Sequence, residues 1–99
     1  MKIAAVIEYI TDAAKVDAHR PAHRQYLRSL LESGRLAATG PFTDAPGALI
    51  VYEAAGVDEA EQLLKNDPFH AAGIFVRWQL RPWHVVMANR ESFPAGGPT

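Results

Sequence analysis

From Lys2 to Ile10 the chain is apolar on both alternating sets of positions. Ile3, Ala5, Ile7 and Tyr9 form one set, and Ala4, Val6 and Ile10 the other, with Glu8 between them. A short, β-branched segment of this kind predicts an inner strand rather than a helix. Thr11 to Val16 reads as a connection. From Asp17 the period changes to 3.6, and Val16, His23, Tyr26, Leu27, Leu30 and Leu31 fall on one sector. Gln25, Arg28, Ser29 and Glu32 fill the opposite side. Proline is tolerated in a first turn, so Pro21 predicts a helix beginning near Ala18 to Arg20, with Asp17 as its candidate cap. Gly34 suits the residue that ends it.

Arg35 to Pro41 predicts a second strand, Thr43 to Gly47 a turn, and Ala48 to Glu53 a third strand. Two strands joined by so short a turn form an antiparallel hairpin. Val57 to Asn66 predicts a second helix, with Val57, Ala60, Leu63 and Leu64 inward and Asp58 and Glu59 at its N-terminal dipole end. Asp67-Pro68 stops it. Phe69 to Gly73 is a turn or a single helical turn. Ile74 to Met87 predicts a final strand. On it Val76, Trp78 and Leu80 face one way, and Phe75, Arg77, Gln79, Arg81 and Trp83 the other.

The order β-α-β-β-α-β is the α+β, ferredoxin-like pattern, with a four-stranded antiparallel sheet and both helices on one face. The helices then run antiparallel, so the start of the first and the end of the second share one end of the domain. The other sheet face is left bare. Arg77, Gln79, Arg81, Phe75 and Trp83 lie there with apolar groups from the inner strands, and a second copy of the chain would cover them as a two-fold homodimer.

Composition narrows the functional classes. The 99 residues make one domain, 48% hydrophobic and 21% charged, with a formal net charge of −1. A domain this small buries roughly 60–65% of its unfolded surface, which favours a partner subunit. The charge speaks against nucleic acid or an anionic membrane surface as partner. With no cysteine, disulfides and thiolate chemistry are excluded. The apolar N-terminus is short and carries Glu8, and no apolar run approaches the roughly 20 residues of a membrane span, so a cytoplasmic location is expected. Residues 89–99 are rich in Pro, Gly and small side chains toward their end, and are expected to be a flexible tail on a 1–88 domain.

Candidate chemistry centres on His23. An inward histidine needs a partner, because an unpaired buried polar group costs about 1–3 kcal/mol. The topology brings Asp67 to the same end of the domain. A carboxylate on one ring nitrogen fixes the tautomer and leaves the other nitrogen free to move a proton. The same pairing could also be purely structural. Arg20, one helical turn before His23, could hold a ligand carboxylate or phenolate, or simply pair with Asp17 or Asp67. His19 and His23 make an HxxxH spacing that Asp67 and His70 could extend. Without a glutamate in the HExxH place the signal is weak, and neither metal nor cofactor is expected. The mixture of Arg77, Arg81 and Trp83 fits an interface better than single-stranded nucleic acid, and His84 reads as a residue of the last strand.

Arg20-xx-His23, Tyr26-Leu27, Gly34-Arg35-Leu36, Gly40-Pro41, Asp67-Pro68-Phe69 and Ala72-Gly73-Ile74-Phe75 together resemble the YCII-related domain. The resemblance runs from about Lys2 to Val86. It implies a dimeric α+β barrel related to muconolactone isomerase-like proteins. It also implies an active-site pair at His23 and Asp67, with Arg20 as the motif's arginine binding substrate. One branch of that family resembles enzymes that remove chloride from chlorinated hydroxyquinols. The reading that follows is a lyase, isomerase or dehydrochlorinase-like enzyme acting on a small cyclic or phenolic molecule. The alternative is a dimeric ligand-binding or accessory module without chemistry.

Overall fold

The strand predicted at the N-terminus forms at Lys2–Tyr9 (β1) and lies inside the sheet, which explains why both of its faces are largely apolar. The computed structural model describes residues 1–95. After β1 come α1 (Ala13–Glu32), β2 (Leu36–Pro41), β3 (Gly47–Glu53), α2 (Val57–Lys65), α3 (Pro68–Ala71) and β4 (Phe75–Trp83). The sheet order is β2-β3-β1-β4, with every neighbouring pair antiparallel. This is the ferredoxin-like α+β arrangement with one extra helical turn, α3, set before the last strand.

The odd residues of β1 face the helices. Ile3 and Ala5 have no exposed surface and Ile7 almost none. Ile50 and Tyr52 of β3 join them from the next strand. α1 contributes Val16, Leu27 and Leu30 to this core, and α2 contributes Ala60, Leu63 and Leu64. The inward stripes read from the 3.6-residue period are therefore the ones the helices bury.

Three expectations require correction. Pro21 does not mark the start of α1. The helix begins at Ala13, where the Asp12 carboxylate accepts a hydrogen bond from the Lys15 amide at 3.2 Å, and Pro21 lies inside it. The cap is thus Asp12 rather than Asp17, and most of the supposed connection is helix. Proline removes one amide donor to the Asp17 carbonyl. Asp17 lies on the exposed side of the helix, where a carbonyl without its amide donor is open to solvation at little cost, and the helix runs on to Glu32.

The second correction concerns β4. Glu8 pairs with Arg77 but Tyr9 pairs with Phe75, so Val76 is an extra residue in the ladder. This bulge turns Phe75 to the helix side, where it is buried with Trp78 and Leu80 beyond it, and leaves Val76 48% exposed. Third, β4 ends at Trp83, so His84 lies beyond the strand and is exposed. Pro82 and the lack of a further partner strand account for the early end. In the segment expected to be a tail, Arg90–Ser92 forms a 3-10 turn whose Glu91 amide donates to the Asn89 side chain. Residues 96–99 lie outside the described residues.

The β2–β3 turn closes tightly against β1. Gly47 has φ +156°, and a Cβ there would collide with the backbone carbonyl oxygen of Ile7. Only glycine fits both the dihedral and the space. Gly47→Ala is expected to cost about 2 kcal/mol or more, read as a drop in the urea midpoint with an unchanged slope.

Candidate functional site

His23 sits on the third turn of α1 and faces the sheet, with 6% of its surface exposed. Its Nδ1 lies 2.7 Å from Asp67 Oδ1 and 2.9 Å from Oδ2. The Asp67 side chain has no exposed surface. Its position follows from local sequence. Asp67 is the N-cap of α3, and its Oδ1 accepts from the Phe69 amide at 2.9 Å. Pro68 follows at the first helical position, which is pre-set by its fixed φ. A second tie holds the preceding turn in place: Tyr26 on α1 donates its hydroxyl to the Leu63 carbonyl on α2 at 2.7 Å. The structure therefore brings His23 and Asp67 together. Because Asp67 is an acceptor, the hydrogen-bonded ring carries its proton on Nδ1. Among the described residues Nε2 makes no hydrogen bond, and it is not sealed from solvent.

Aromatic rings enclose the pair. Phe69 stacks on the His23 ring with centroids 3.8 Å apart and planes 5° from parallel. Tyr9 meets Phe69 edge-on at 5.4 Å and stacks against Phe75 at 5.8 Å. These rings pack around the pair on its sheet side. Nothing in the sequence pattern assigned any of the three rings to the histidine, and Phe75 was expected on the opposite sheet face. Tyr9 was legible in one respect: it ends the inward set of β1 at the same end of the domain as Asp67.

Arg20 is not drawn onto the pair. Its guanidinium lies 3.4 Å from Asp17 and is about one-third exposed. It lines a cleft of about 210 Å³ between the end of β1, the first turns of α1 and the β2–β3 turn, together with Tyr9, Thr11, Phe42, Pro46 and Gly47. Asp17, the ion-pair partner of Arg20, also lines this cleft, and His23 does not. The HxxxH alternative gains no geometry. His19 is exposed while His23 is buried, and His70 packs edge-on against Trp78. Among the described residues no three His, Asp or Glu side chains are grouped to hold a metal. No helix among them is long and apolar enough to cross a membrane.

Burial raises the phenols in this region. Tyr9 is pushed up to about 12, first by desolvation and then by the Asp67 charge, which Arg20 and Arg24 partly offset. Tyr52 is raised further, and its hydroxyl is buried without a partner. Tyr26 is also raised, again mainly by burial. The unfolded chain releases these protons near the ordinary phenol value of 10.0, while the folded chain holds them to higher pH. Between those limits the unfolded state binds fewer protons, so stability falls as pH rises. Denaturant midpoints are expected to be steady below pH 10 and to drop towards pH 12, with a shallower drop in Tyr9→Phe.

Comparison with known proteins agrees with this architecture. The model of the YCII-related domain matches residues 1–84. The uncharacterized protein YjpA of Bacillus subtilis (strain 168) is 38% identical over 55 residues, which is 56% of this chain and 65% of that protein. Among solved structures, 5-chloro-2-hydroxyhydroquinone dehydrochlorinase (TftG) from Burkholderia phenoliruptrix AC1100, in complex with 2,5-dihydroxybenzoquinone, superposes with a TM-score of 0.74. It covers 85% of this chain and 94% of its own at 23% identity. At that identity the likeness speaks to the fold alone, the α+β arrangement with a four-stranded antiparallel sheet.

Proposed function

The chain belongs to the YCII-related domain family, and from that membership and its buried histidine we propose a small-molecule enzyme that uses His23 and Asp67 for general acid/base chemistry. One observation carries the reading: Asp67 occupies Nδ1 of a buried ring and leaves Nε2 unpartnered. Nε2 removes a proton from the substrate. Asp67 holds the tautomer and balances the positive charge the ring acquires. Arg20, at the cleft, holds the oxyanion that forms as the proton leaves.

The substrate class is a small cyclic or phenolic compound, and the reaction an isomerisation or an elimination. In the first, the proton returns to another atom of the ring. In the second, proton and chloride both depart and a carbon–oxygen double bond remains. The solved neighbour's name, a dehydrochlorinase of a chlorinated hydroxyhydroquinone, supports this class without assigning it.

The test is turnover of a panel of chlorinated hydroquinones and cyclic enol lactones. For any substrate found, His23→Ala is expected to lower kcat by about 10²–10⁴-fold. Asp67→Asn is expected to lower it less, by misplacing the ring proton. Normal turnover by His23→Ala would overturn the mechanism.

A second reading is supported by the double duty of Asp67, which caps α3 as well as holding His23. In that case the pair is structural and the protein is a ligand-binding or accessory module. The two readings separate when melting temperature and ligand affinity are measured on the same His23→Ala protein. A large fall in melting temperature with unchanged affinity and no turnover supports the module.

The functional unit we propose is a homodimer formed through the bare sheet face. Val6 is 47% exposed and its cross-strand neighbour Leu49 38%, next to the Glu8–Arg77 ion pair, and Trp83, opposite Lys2 at the other end of β1, is 50% exposed. Single apolar residues at a surface are ordinary, but this group lies on one continuous face of β1, β3 and β4. Sedimentation equilibrium is expected to give twice the chain mass, and Val6→Asp to shift it to the monomer. A monomeric wild-type protein at micromolar concentration would contradict the pairing.

A further inference from the structure

Beyond Trp83 the chain runs on as an arm that is exposed along most of its length. Val86 is 75% exposed, Met87 88% and Phe93 62%. From Val85 to Ala88 the backbone makes no hydrogen bond to the described residues, and the order in the arm is that of the 3-10 turn at Arg90–Ser92. Single apolar residues at a surface are ordinary. Two adjacent ones on an unpaired backbone leave both apolar surface and hydrogen-bonding groups without a protein partner. The model of the YCII-related domain stops at residue 84, so the arm belongs to this chain rather than to the shared domain.

A second feature without a partner lies at the opposite end of the sheet. Val6, Phe42, Pro46 and Trp78 line a hollow of about 360 Å³ together with Glu8, Arg77 and Gln79. Its two charges already match each other, with Arg77 Nε 2.9 Å from Glu8 Oε2. The hollow therefore asks for no charge from an occupant, and the arm from Val85 to Asn89 carries none. The volume exceeds the roughly 150 Å³ of an apolar cavity that holds benzene, so it admits more than one aliphatic side chain. Met87 is suited to such a seat, because its unbranched thioether adapts to an irregular surface.

The arm does not fill the hollow of its own chain. β4 leaves the sheet opposite Lys2, whereas the hollow lies beside Glu8 and Arg77. At about 3.3 Å per residue, the strand from Arg77 to Trp83 separates them by about 20 Å. Val86 and Met87 stay in solvent. A second copy that faces the sheet with its strands reversed brings its Glu8 end to the arm, and two-fold symmetry then makes the contact twice.

We propose that Val85 to Phe93 is an exchange arm, and that Val86 and Met87 of one copy seat in the hollow between Val6, Phe42 and Trp78 of a second copy. The inference takes the homodimer proposed above as its setting and adds the element that locks it.

The chain has no cysteine, so introduced thiols report without background. Met87→Cys protein is mixed with Val6→Cys protein and, as a control, with Glu59→Cys protein, whose thiol is exposed on α2. Each mixture is oxidised, and the disulfide between unlike chains is measured by mass spectrometry of the joined peptides. Because a disulfide needs Cα atoms within about 7 Å, the yield at Val6 is expected to exceed that at Glu59 about tenfold or more. Equal yields would overturn the exchange. So would a Val6→Cys, Met87→Cys double variant whose disulfide closes within one chain.

Met87 is exposed in the single chain, so Met87→Asp leaves the domain folded. It is expected to raise the dimer dissociation constant about tenfold, and an unchanged constant would contradict the arm's role. The two proposals fail separately. A dimeric wild-type protein with equal disulfide yields removes only the arm. A preferential yield at Val6, with the dimer intact in Leu49→Asp, removes only the pairing through the sheet face.

Discussion

A carboxylate with no exposed surface governs the arrangement of this domain. Removing Asp67 from water costs several kcal/mol unless its oxygens are matched by donors. The fold supplies those donors from two directions: His23 Nδ1 from α1, and the Phe69 amide from the turn that Asp67 itself begins. Meeting both requires α1 to present His23 at one rotation and α2 to end at one height. The Tyr26 hydroxyl, bonded to the Leu63 carbonyl, sets that height from the other side. The apolar stripes would tolerate small slides of one helix along the sheet, whereas the hydrogen bonds to Asp67 would not.

The same constraint explains the aromatic residues at that end. Phe69 follows Asp67 in the capped turn and so lies flat on the histidine it helps to bury. Phe75 reaches the group only because the bulge opposite Tyr9 reverses the face of the first residue of β4. Tyr9 completes the enclosure and faces the cleft. The rings that pack around the buried pair thus include one, Tyr9, that also lines the cleft beside Arg20.

The sheet has two unlike faces because both crossovers carry their helices to one side. The covered face holds the core. The other holds Val6 and Leu49 beside the Glu8–Arg77 ion pair, and Trp83 opposite Lys2 at the far end of β1. A domain of 99 residues has little surface to bury within itself, so this face is its main reserve for further stabilisation.

Much of this was legible in the chain. Two hydrophobic periods marked the strands and helices, because a half-buried element repeats its apolar positions with its own geometry. His23 stood out because it interrupts an apolar stripe, and Asp67 because topology returns it to the same end. Three features were not legible. Pro21 looked like a helix start, since nothing local reveals that the residue it deprives of a donor, Asp17, lies on the exposed side of the helix. Phe75 looked outward, since a bulge is a property of two paired strands and the alternation of one strand cannot display it. Tyr9 looked like one more core residue. The sequence determined the elements, their order and the one polar residue out of place, because these depend on near neighbours along the chain. Which ring closes over the histidine, and which side chains line the cleft beside Arg20, was decided only by tertiary structure. Those contacts join β1, α1, α3 and β4, whose relative rotations are set by packing and by the donors that Asp67 demands.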